Sequence, residues 1–574
     1  MTPTHASDPT TAMADSVSLE ITRNGLAAIA DEMAISHVRS AYSSVARDML
    51  DFSTAVCDSR GRVVAQGLSL AIQLGAIPRL MKMMIERVGV PGRGDVYFVN
   101  HPWQGGVHVP DVFFVKPVFL ETGDAPVAYT VIVSHMVDMG GRYAGSISPA
   151  AANIFEEGLM IPLVPLVKSG VVNQPILDLI AANVRDPSSV LGDIRSALGA
   201  LETGATQFQD FARRTGPEAL AGQIERLLDA TERATRAAFR RDIPDGTASA
   251  EDFLDSKAPD NPNPKIACTV VKKGDRIRFD FAGTSPQVAG GFNCTIADVM
   301  SVAAFVARSV LSEDIPVNDG FYRCLEFVVP EGSLINAQHP AGVSARGSTV
   351  CRLNDVAMAA MANLVPGQLP AAPGGRGAIF FSGQRAQKDG GKAWVFLDYL
   401  GPGWGGRPMG EGVPGLSHPL VNAANIPVET IEQQFPLRVS EYALADDVRG
   451  TGLHASAAGV VREYVALNDN TTVNQELIRD VHTAPGVVGG HAGTPALAQV
   501  RRSGSTSWET VPAIGLFKLD AGDTLRCQLS TGGGYGEQAG EQAGEPAGVP
   551  AKGAAGIPAG RTTHAAASSP ARGA

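Results

Sequence analysis

Two histidines and an aspartate stand at the edges of two apolar runs in NHPWQGGVHVPDVFFVKPVFLETGDAPVAYTVIVSHMVDMGG, residues 100–141. Imidazole nitrogens and a carboxylate are a donor set for a divalent cation such as zinc, manganese or iron. His108, Asp111 and His135 are therefore candidate metal ligands. Asp51 is the candidate fourth. It opens DFSTAV, a strand with apolar neighbours, and a buried carboxylate needs a cation or several donors beside it. The competing reading is that histidines at strand ends simply hydrogen-bond to the backbone. His101 and Asp138 share the neighbourhood. His101 could cap a turn. Asp138, just ahead of Met139-Gly140-Gly141, could hold a turn or orient His135 through its ring N–H.

The elements that must position these groups are short. DVFFVKPVF (111–119) and PVAYTVIVSH (126–135) read as two strands, and ETGDA between them is short enough for a hairpin. A turn centred near residue 122 or 123 makes the numbers of paired residues sum to about 245, by reflection across the turn. His135 then falls opposite residue 110, at the end of the hairpin that carries His108 and Asp111. Gly105 and Gly106 allow the loop a close approach. Ser134 and His135 are neighbours on a strand and point to opposite faces, so they cannot pair as nucleophile and base.

The chain has 574 residues, so more than one domain or lobe is expected. Apolar periodicity predicts a helix over Leu19–Leu50, another over 77–88 and a third over 216–241, with Thr215 and Glu218 spaced as a capping box. DFSTAVCDSRGRVVAQG reads as two strands about a turn. Residues 94–136 read as strands, 266–281 as a hairpin and 295–312 as a helix. Beyond 320 the pattern is mostly short strands separated by Gly and Pro. The expected fold class is mixed α/β (α+β), with strands and helices irregularly interleaved. The expected divisions are a disordered N-terminus (1–16), an N-terminal α/β region with the metal site (17–245), a strand-rich C-terminal region (246–536) and a disordered Ala/Gly/Pro tail (537–574).

A formal net charge of −11 offers no basic surface for nucleic acid. Six cysteines with no CxxC pair read as reduced, mostly buried thiols of a cytoplasmic protein. The N-terminus lacks a secretory pattern, and no apolar run reaches membrane-spanning length. GPGWGG (401–406) matches GxGxxG, but the RPMGEGVPG that follows cannot open the helix a dinucleotide site requires. GGGYG (532–536) reads as a turn or as a loop that admits another backbone. GxxxxGK[ST], HExxH and GxSxG do not occur, so the chain displays neither an ATP cradle nor a nucleophile elbow.

Several of these stretches, in order, resemble the hydantoinase B/oxoprolinase family over roughly residues 17–537: DFSTAVCDSRGRVVAQG, NHPWQGGVHVPD, HMVDMGG, GSISPAAANIFEEGLMIPLVPL, IPVNDGFYRCLEFVVPEGSLINAQHPAGV, NIPVETIEQQFPLRVSEYAL and STGGGYG. His101, Val107 and Met136 depart from that pattern, standing where the family usually has Asp, Thr and a second His. DDVRGTGLHASAAGVV lacks the family's glycines. The resemblance implies a metal-binding subunit with Asp51, His108, Asp111 and His135 as ligands, working with a hydantoinase A-type partner that uses ATP. The implied reaction is ATP-dependent opening of a cyclic amide: a hydantoin, 5-oxoproline or a related lactam. The partner would activate the amide oxygen, and Asp138 or His101 would carry protons. The alternatives are a ketone carboxylase of the acetone or acetophenone carboxylase kind, or a non-catalytic scaffold subunit.

Overall fold

A row of four-to-eight-residue strands with both faces apolar needs a layer of helices on each side, and the N-terminal half is built that way. The computed structural model describes residues 9–67, 70–385, 391–445 and 448–537. The expected tail therefore lies, except for Glu537, outside the described residues. Helix α1 (Pro9–Ser40) leads in. The expected helix to Leu50 is divided: the chain leaves α1 at Ser40 and re-enters as α2 (Ser44–Arg47), where the Ser43 hydroxyl accepts the Ala46 N–H. The strands β1 (Phe52–Asp58) and β2 (Val63–Gln66) follow, then α3 (Ala71–Leu74), α4 (Ala76–Val88) and β3 (Val96–Val99). β4 (Asp111–Val118) and β5 (Ala128–His135) form the hairpin read from the sequence, and β6 (Val164–Lys168) and β7 (Val171–Val172) complete the sheet. Its order is β2-β1-β5-β4-β3-β6-β7.

Alternation along β4 and β5 sorts the two layers. Phe113, Val115, Val131 and Val133 pack with Ile77, Leu80, Met81 and Met84 of α4. Val112, Phe114 and Ile132 face the other way, into the core that holds Met33 of α1. That second layer is completed by helices that follow α5 (Gln174–Asn183), namely α6 (Pro187–Thr215) and α7 (Pro217–Asp242). α6 is not among the helices expected from the sequence. Its buried stripe includes Val190, Ile194, Ala197, Leu201, Ala205, Phe208 and Ala212, which is fully helical in spacing but made largely of small residues. Close packing needs those small residues: a Cβ on Gly204 would lie 2.4 Å from Met33 Sδ. The expected capping box at Thr215 is also corrected. Thr215 is the last residue of α6, Gly216 breaks the chain at φ 88°, and Pro217 opens α7 with no side-chain cap.

β8 (Gly246–Phe253), β9 (Lys265–Lys273), β10 (Arg276–Asp280) and β11 (Leu325–Val328) form a second sheet in the order β11-β10-β9-β8. Between β10 and β11 lie α8 (Ile296–Ser309), with the Thr295–Asp298 capping box, and α9 (Asp319–Tyr322). The strand-rich expectation beyond 320 misses α10 (Arg346–Leu364), which packs on β8 and β9. Ser348, Thr349, Arg352, Asn354 and Asp355 are all buried on it, so polar residues share the buried side with the apolar spacing of Val350, Leu353, Ala357, Met361 and Leu364 and obscure it in the sequence.

The remaining strands are β12 (Gly377–Gln384), β13 (Ala393–Leu400), β14 (Leu437–Ala445), β15 (Gly459–Ala466), β16 (Thr471–Leu477), β17 (Leu497–Arg501), β18 (Glu509–Val511), β19 (Ile514–Leu519) and β20 (Thr524–Gln528), with α11 (Val428–Gln434) between β13 and β14. They make two further sheets, β13-β12-β16-β19 and β14-β15-β20-β17-β18. The fold is thus mixed, with helices interleaved among mainly antiparallel sheets, as expected. GPGWGG runs into loop, and GGGYG admits a neighbouring backbone: a Cβ on Gly534 would lie 1.9 Å from the Thr451 carbonyl oxygen. The six cysteines are free and buried. No helix among the described residues is long and apolar enough to cross a membrane.

Candidate metal centre

Strand register builds the centre. In β1 and β5 Phe52 pairs with Ser134, and the His135 N–H donates to the Asp51 carbonyl at 3.0 Å. In β4 and β5 Asp111 pairs with His135. Paired residues therefore sum to 246 rather than 245, and His135 faces Asp111 instead of residue 110. Asp51, His135 and Asp111 form one row across three adjacent strands. Ser134, on the opposite face, hydrogen-bonds His37 instead. His108 joins from the loop before β4, where the Asp111 N–H donates to its carbonyl at 3.2 Å.

The side chains converge. His108 Nε2 is 3.1 Å from Asp111 Oδ2, and His135 Nδ1 is 2.9 Å from Asp111 Oδ1. Asp51 Oδ2 is 3.8 Å from His135 Nδ1. One potential ligand atom from each of His108, Asp111 and His135 lies within 4.8 Å of the others. His108 Nδ1 sits 3.0 Å from the Ser344 carbonyl, which requires a proton on Nδ1 and leaves the Nε2 lone pair facing the cluster. His135 Nε2 is buried without a partner. Gln73 Nε2 donates to Asp51 Oδ1 at 2.9 Å, and Gln73 Oε1 accepts the Ser53 hydroxyl at 2.8 Å.

Electrostatics favour a cation here. Burial pushes Asp51 up to about 6 and His108 down to about 4. Burial would also push His135 down, but the Asp51 charge and the Asp111 hydrogen bond raise it above the usual imidazole value. Asp111 is held well below the usual carboxylate range against its burial by His108 and Arg346. Arg346 bridges two buried acids, Asp111 at 2.5 Å and Asp298 at 2.6 Å. Asp51 has no direct contact with Arg346 and feels it, like Arg376, only through space. The donor set, the unpartnered His135 nitrogen and the surplus of negative charge fit a divalent cation.

The cluster opens on a cavity of about 80 Å³ between the end of the first sheet and the face of β12 and β13. Much of its wall is apolar, including Met49, Leu70, Ile147, Phe380, Leu397 and Val421. Arg346, Arg376 and Tyr399 add polar groups that sequence reading missed. The legible signal for Arg376 is a lone arginine directly ahead of the apolar run GAIFF.

His101 and Asp138, expected to carry protons, do not line this cavity. His101 Nδ1 accepts the Trp103 N–H and caps the turn Pro102–Gln104. Asp138 is fully buried and accepts from the N–H groups of Gly140, Gly145 and Arg185 and from the Arg185 guanidinium. With both oxygens engaged twice Asp138 holds its turn, while His101, half-buried, uses only Nδ1 in its cap.

Glu157 steadies the opposite rim. Its Oε1 accepts the N–H groups of Val343 and Ser344 at 2.6 and 2.8 Å, while Oε2 is buried without a partner. Burial pushes its carboxyl up to about 8 against those hydrogen bonds. The folded state therefore holds a proton that the unfolded state has already lost above the ordinary value of 4.5. The stability this contributes is complete below that value and is lost as pH rises through about 8. Glu157→Gln keeps the acceptor and removes the titration. Its denaturation midpoint is expected to exceed that of the parent at pH 9, by something on the order of a few kcal/mol, and to converge with it at pH 5. Parallel pH profiles for the two proteins would contradict this account.

Comparison with known proteins agrees with the geometry. Residues 15–538 match the hydantoinase B/oxoprolinase family. The chain is 29% identical over 540 residues to the B-type subunit of a putative D-/L-hydantoinase of Pseudomonas sp. (strain NS671), covering 91% of this chain and 90% of that one. The fold is similar to that of the ATP-dependent caprolactamase of Pseudomonas jessenii, with a TM-score of 0.79 and 24% identity over 91% of each chain. It is also similar to nucleotide-free acetone carboxylase, with a TM-score of 0.83 and 14% identity over 92% of this chain and 77% of that one. The match runs over nearly the whole chain, and this chain belongs to the hydantoinase B/oxoprolinase family.

Proposed function

We propose that this chain is the metal-holding subunit of an ATP-dependent cyclic amide hydrolase that opens a hydantoin, 5-oxoproline or another lactam ring. A hydantoinase A-type partner would activate the amide oxygen at the expense of ATP. The observation that carries the reading is the Asp51–His135–Asp111 row, with His108 beside it, at the wall of a small, largely apolar cavity. Family membership supports it, as does a full-length relative named as one subunit of a hydantoinase.

An unactivated amide carbon resists attack by water, so the reaction needs both an activated oxygen and a strong nucleophile. A divalent cation bound by Asp51, His108, Asp111 and His135 would supply Lewis acidity and draw a nucleophile from water near neutral pH. The chain's own residues do the positioning. Ser344 fixes the His108 ring, Arg346 fixes Asp111, and Gln73 fixes Asp51. The apolar wall limits water and strengthens every charge interaction inside.

The test combines the chain with an A-type partner, ATP and a panel of cyclic amides, following phosphate release and ring-opened product. ATP-dependent opening of at least one ring is the expected result. ATP turnover that yields product only with bicarbonate and a ketone would replace this reading with the carboxylase one. Absence of any ring-opened product would reject it.

A further inference from the structure

The donor row occupies one side of the cavity. The other side is a strand face with its own polar end. Positions 376, 378 and 380 alternate onto one face of β12 and its lead-in, and Ala378 and Phe380 pair directly with Tyr399 and Leu397 of β13. Arg376, Ala378, Phe380, Leu397 and Tyr399 all line the cavity. Apolar side chains separate two groups whose hydrogen bonds are incomplete.

Arg376 is 8% exposed. Its Nη2 donates to Glu476 Oε2 at 3.0 Å and to the Ser348 hydroxyl at 3.1 Å, which anchors the guanidinium plane. Its Nε is buried with no partner. A Cβ on Gly347 would lie 2.9 Å from Nη2, so the first turn of α10 is kept bare where the guanidinium crosses it. Tyr399 is 7% exposed. Its hydroxyl oxygen accepts from the Ser417 hydroxyl and the His418 N–H, both at 3.2 Å. A phenol has one proton, and with both neighbours donating, that proton is left for another acceptor. Burial also pushes the phenol well up, so it remains a donor at any working pH. Buried donors without acceptors are costly, and a functional pocket is where such a cost persists.

We propose that Arg376 and Tyr399 are specificity-determining residues that bind an acceptor oxygen on the substrate away from the C–N bond that breaks. The favoured class is a small cyclic amide with a second carbonyl or a carboxylate, and a plain lactam of the same ring size is disfavoured. This rests on the cyclic-amide reading above. A substrate lacking the second oxygen would leave the Tyr399 phenol proton unpaired beside the Arg376 guanidinium in a dry site, and rejection of such analogues is typically far stronger than rejection of a missing methylene.

The test uses matched five-membered rings: hydantoin and 5-oxoproline, each with a second acceptor, against 2-pyrrolidinone, which has none. In the complex with the A-type partner and ATP, kcat/KM should favour an acceptor-bearing ring by about a hundredfold or more. Tyr399→Phe should cut that preference about tenfold and Arg376→Gln about a hundredfold, with little change for 2-pyrrolidinone. Hydantoin against 5-oxoproline distinguishes a carbonyl from a carboxylate. The same rings titrated into the full-length, cation-loaded chain alone should show the preference in Kd, so this inference is decided even if no ring is opened and the hydrolase reading fails. Arg376→Gln leaves Glu476 without its cation, so if it does not fold, Tyr399→Phe, which keeps the shape, decides alone. Equal binding of all three rings by the parent, or a preference unchanged in Tyr399→Phe, would overturn the proposal.

Discussion

His108→Ala is expected to abolish the divalent-cation binding proposed for this centre, and with it the proposed activity, while leaving the fold almost intact. The imidazole is neutral because burial pushes it down to about 4, and its Nδ1–H is committed to the Ser344 carbonyl. Only Nε2 remains, and it faces Asp111. The substitution removes that lone pair and leaves the Ser344 carbonyl without its donor, which costs stability of about 1–3 kcal/mol. Cation affinity should fall by at least about a hundredfold, since losing a group that merely orients a ligand already costs 10–100-fold. Elemental analysis after dialysis, beside a denaturation curve, separates the two effects. Cation uptake should also release protons and weaken as pH falls, first as His135 protonates at its raised value and then through about 6, where Asp51 becomes protonated. A His108→Ala chain that keeps a full equivalent of metal would refute the ligand assignment.

Arg346→Met is expected to be the most destabilising single change around the centre, at about 3–5 kcal/mol. One guanidinium serves Asp111 and Asp298, and all three side chains are at most 3% exposed. A methionine of similar length fills the space but leaves two buried carboxylates facing each other without a cation. Burial already holds Asp298 above the usual carboxylate range, and Arg346 is the chief influence opposing it. Without Arg346 both acids would take up protons, so the deficit should shrink at pH 4, where neutralising them costs less. A saturating divalent cation should restore part of the loss at pH 7 by pairing with Asp111. Arg346→Lys should fall between, because a single ammonium cannot span two acids held 2.5 and 2.6 Å from separate nitrogens. Denaturant midpoints across pH, with and without metal, check each point. An unchanged midpoint for Arg346→Met at pH 7 would mean that the bridge contributes nothing.

The donor row was legible in the sequence because it is local. Asp111 and His135 are joined by one tight hairpin whose apolar runs and turn residues state their own pairing, and the pairing missed by a single residue. Asp51 could be placed because it opens the apolar run that becomes β1. Helices α4, α7 and α8 announced themselves through apolar spacing. α6 did not, because the alanines and glycines that allow close approach stand among Val190, Ile194, Leu201 and Phe208 and dilute the hydrophobic weight of its inner stripe. α10 did not, because its buried face carries Ser348, Arg352 and Asp355, whose partners come from other sheets. His101 and Asp138 drew notice by chemical type, yet Asp138 spends both oxygens on nearby N–H groups and the Arg185 guanidinium, and His101 spends Nδ1 on the Trp103 N–H.

By itself, then, the sequence determined the donor row and the family, since residues paired within one hairpin need no knowledge of distant packing. The tertiary structure alone decided the rest of the chamber. Arg346 reaches Asp111 across 235 residues of chain, and Arg376 and Tyr399 face the row from a different sheet. Their positions follow from how separate layers bury one another's surfaces, which no local period records, and it is those layers that enclose the donor row in a cavity.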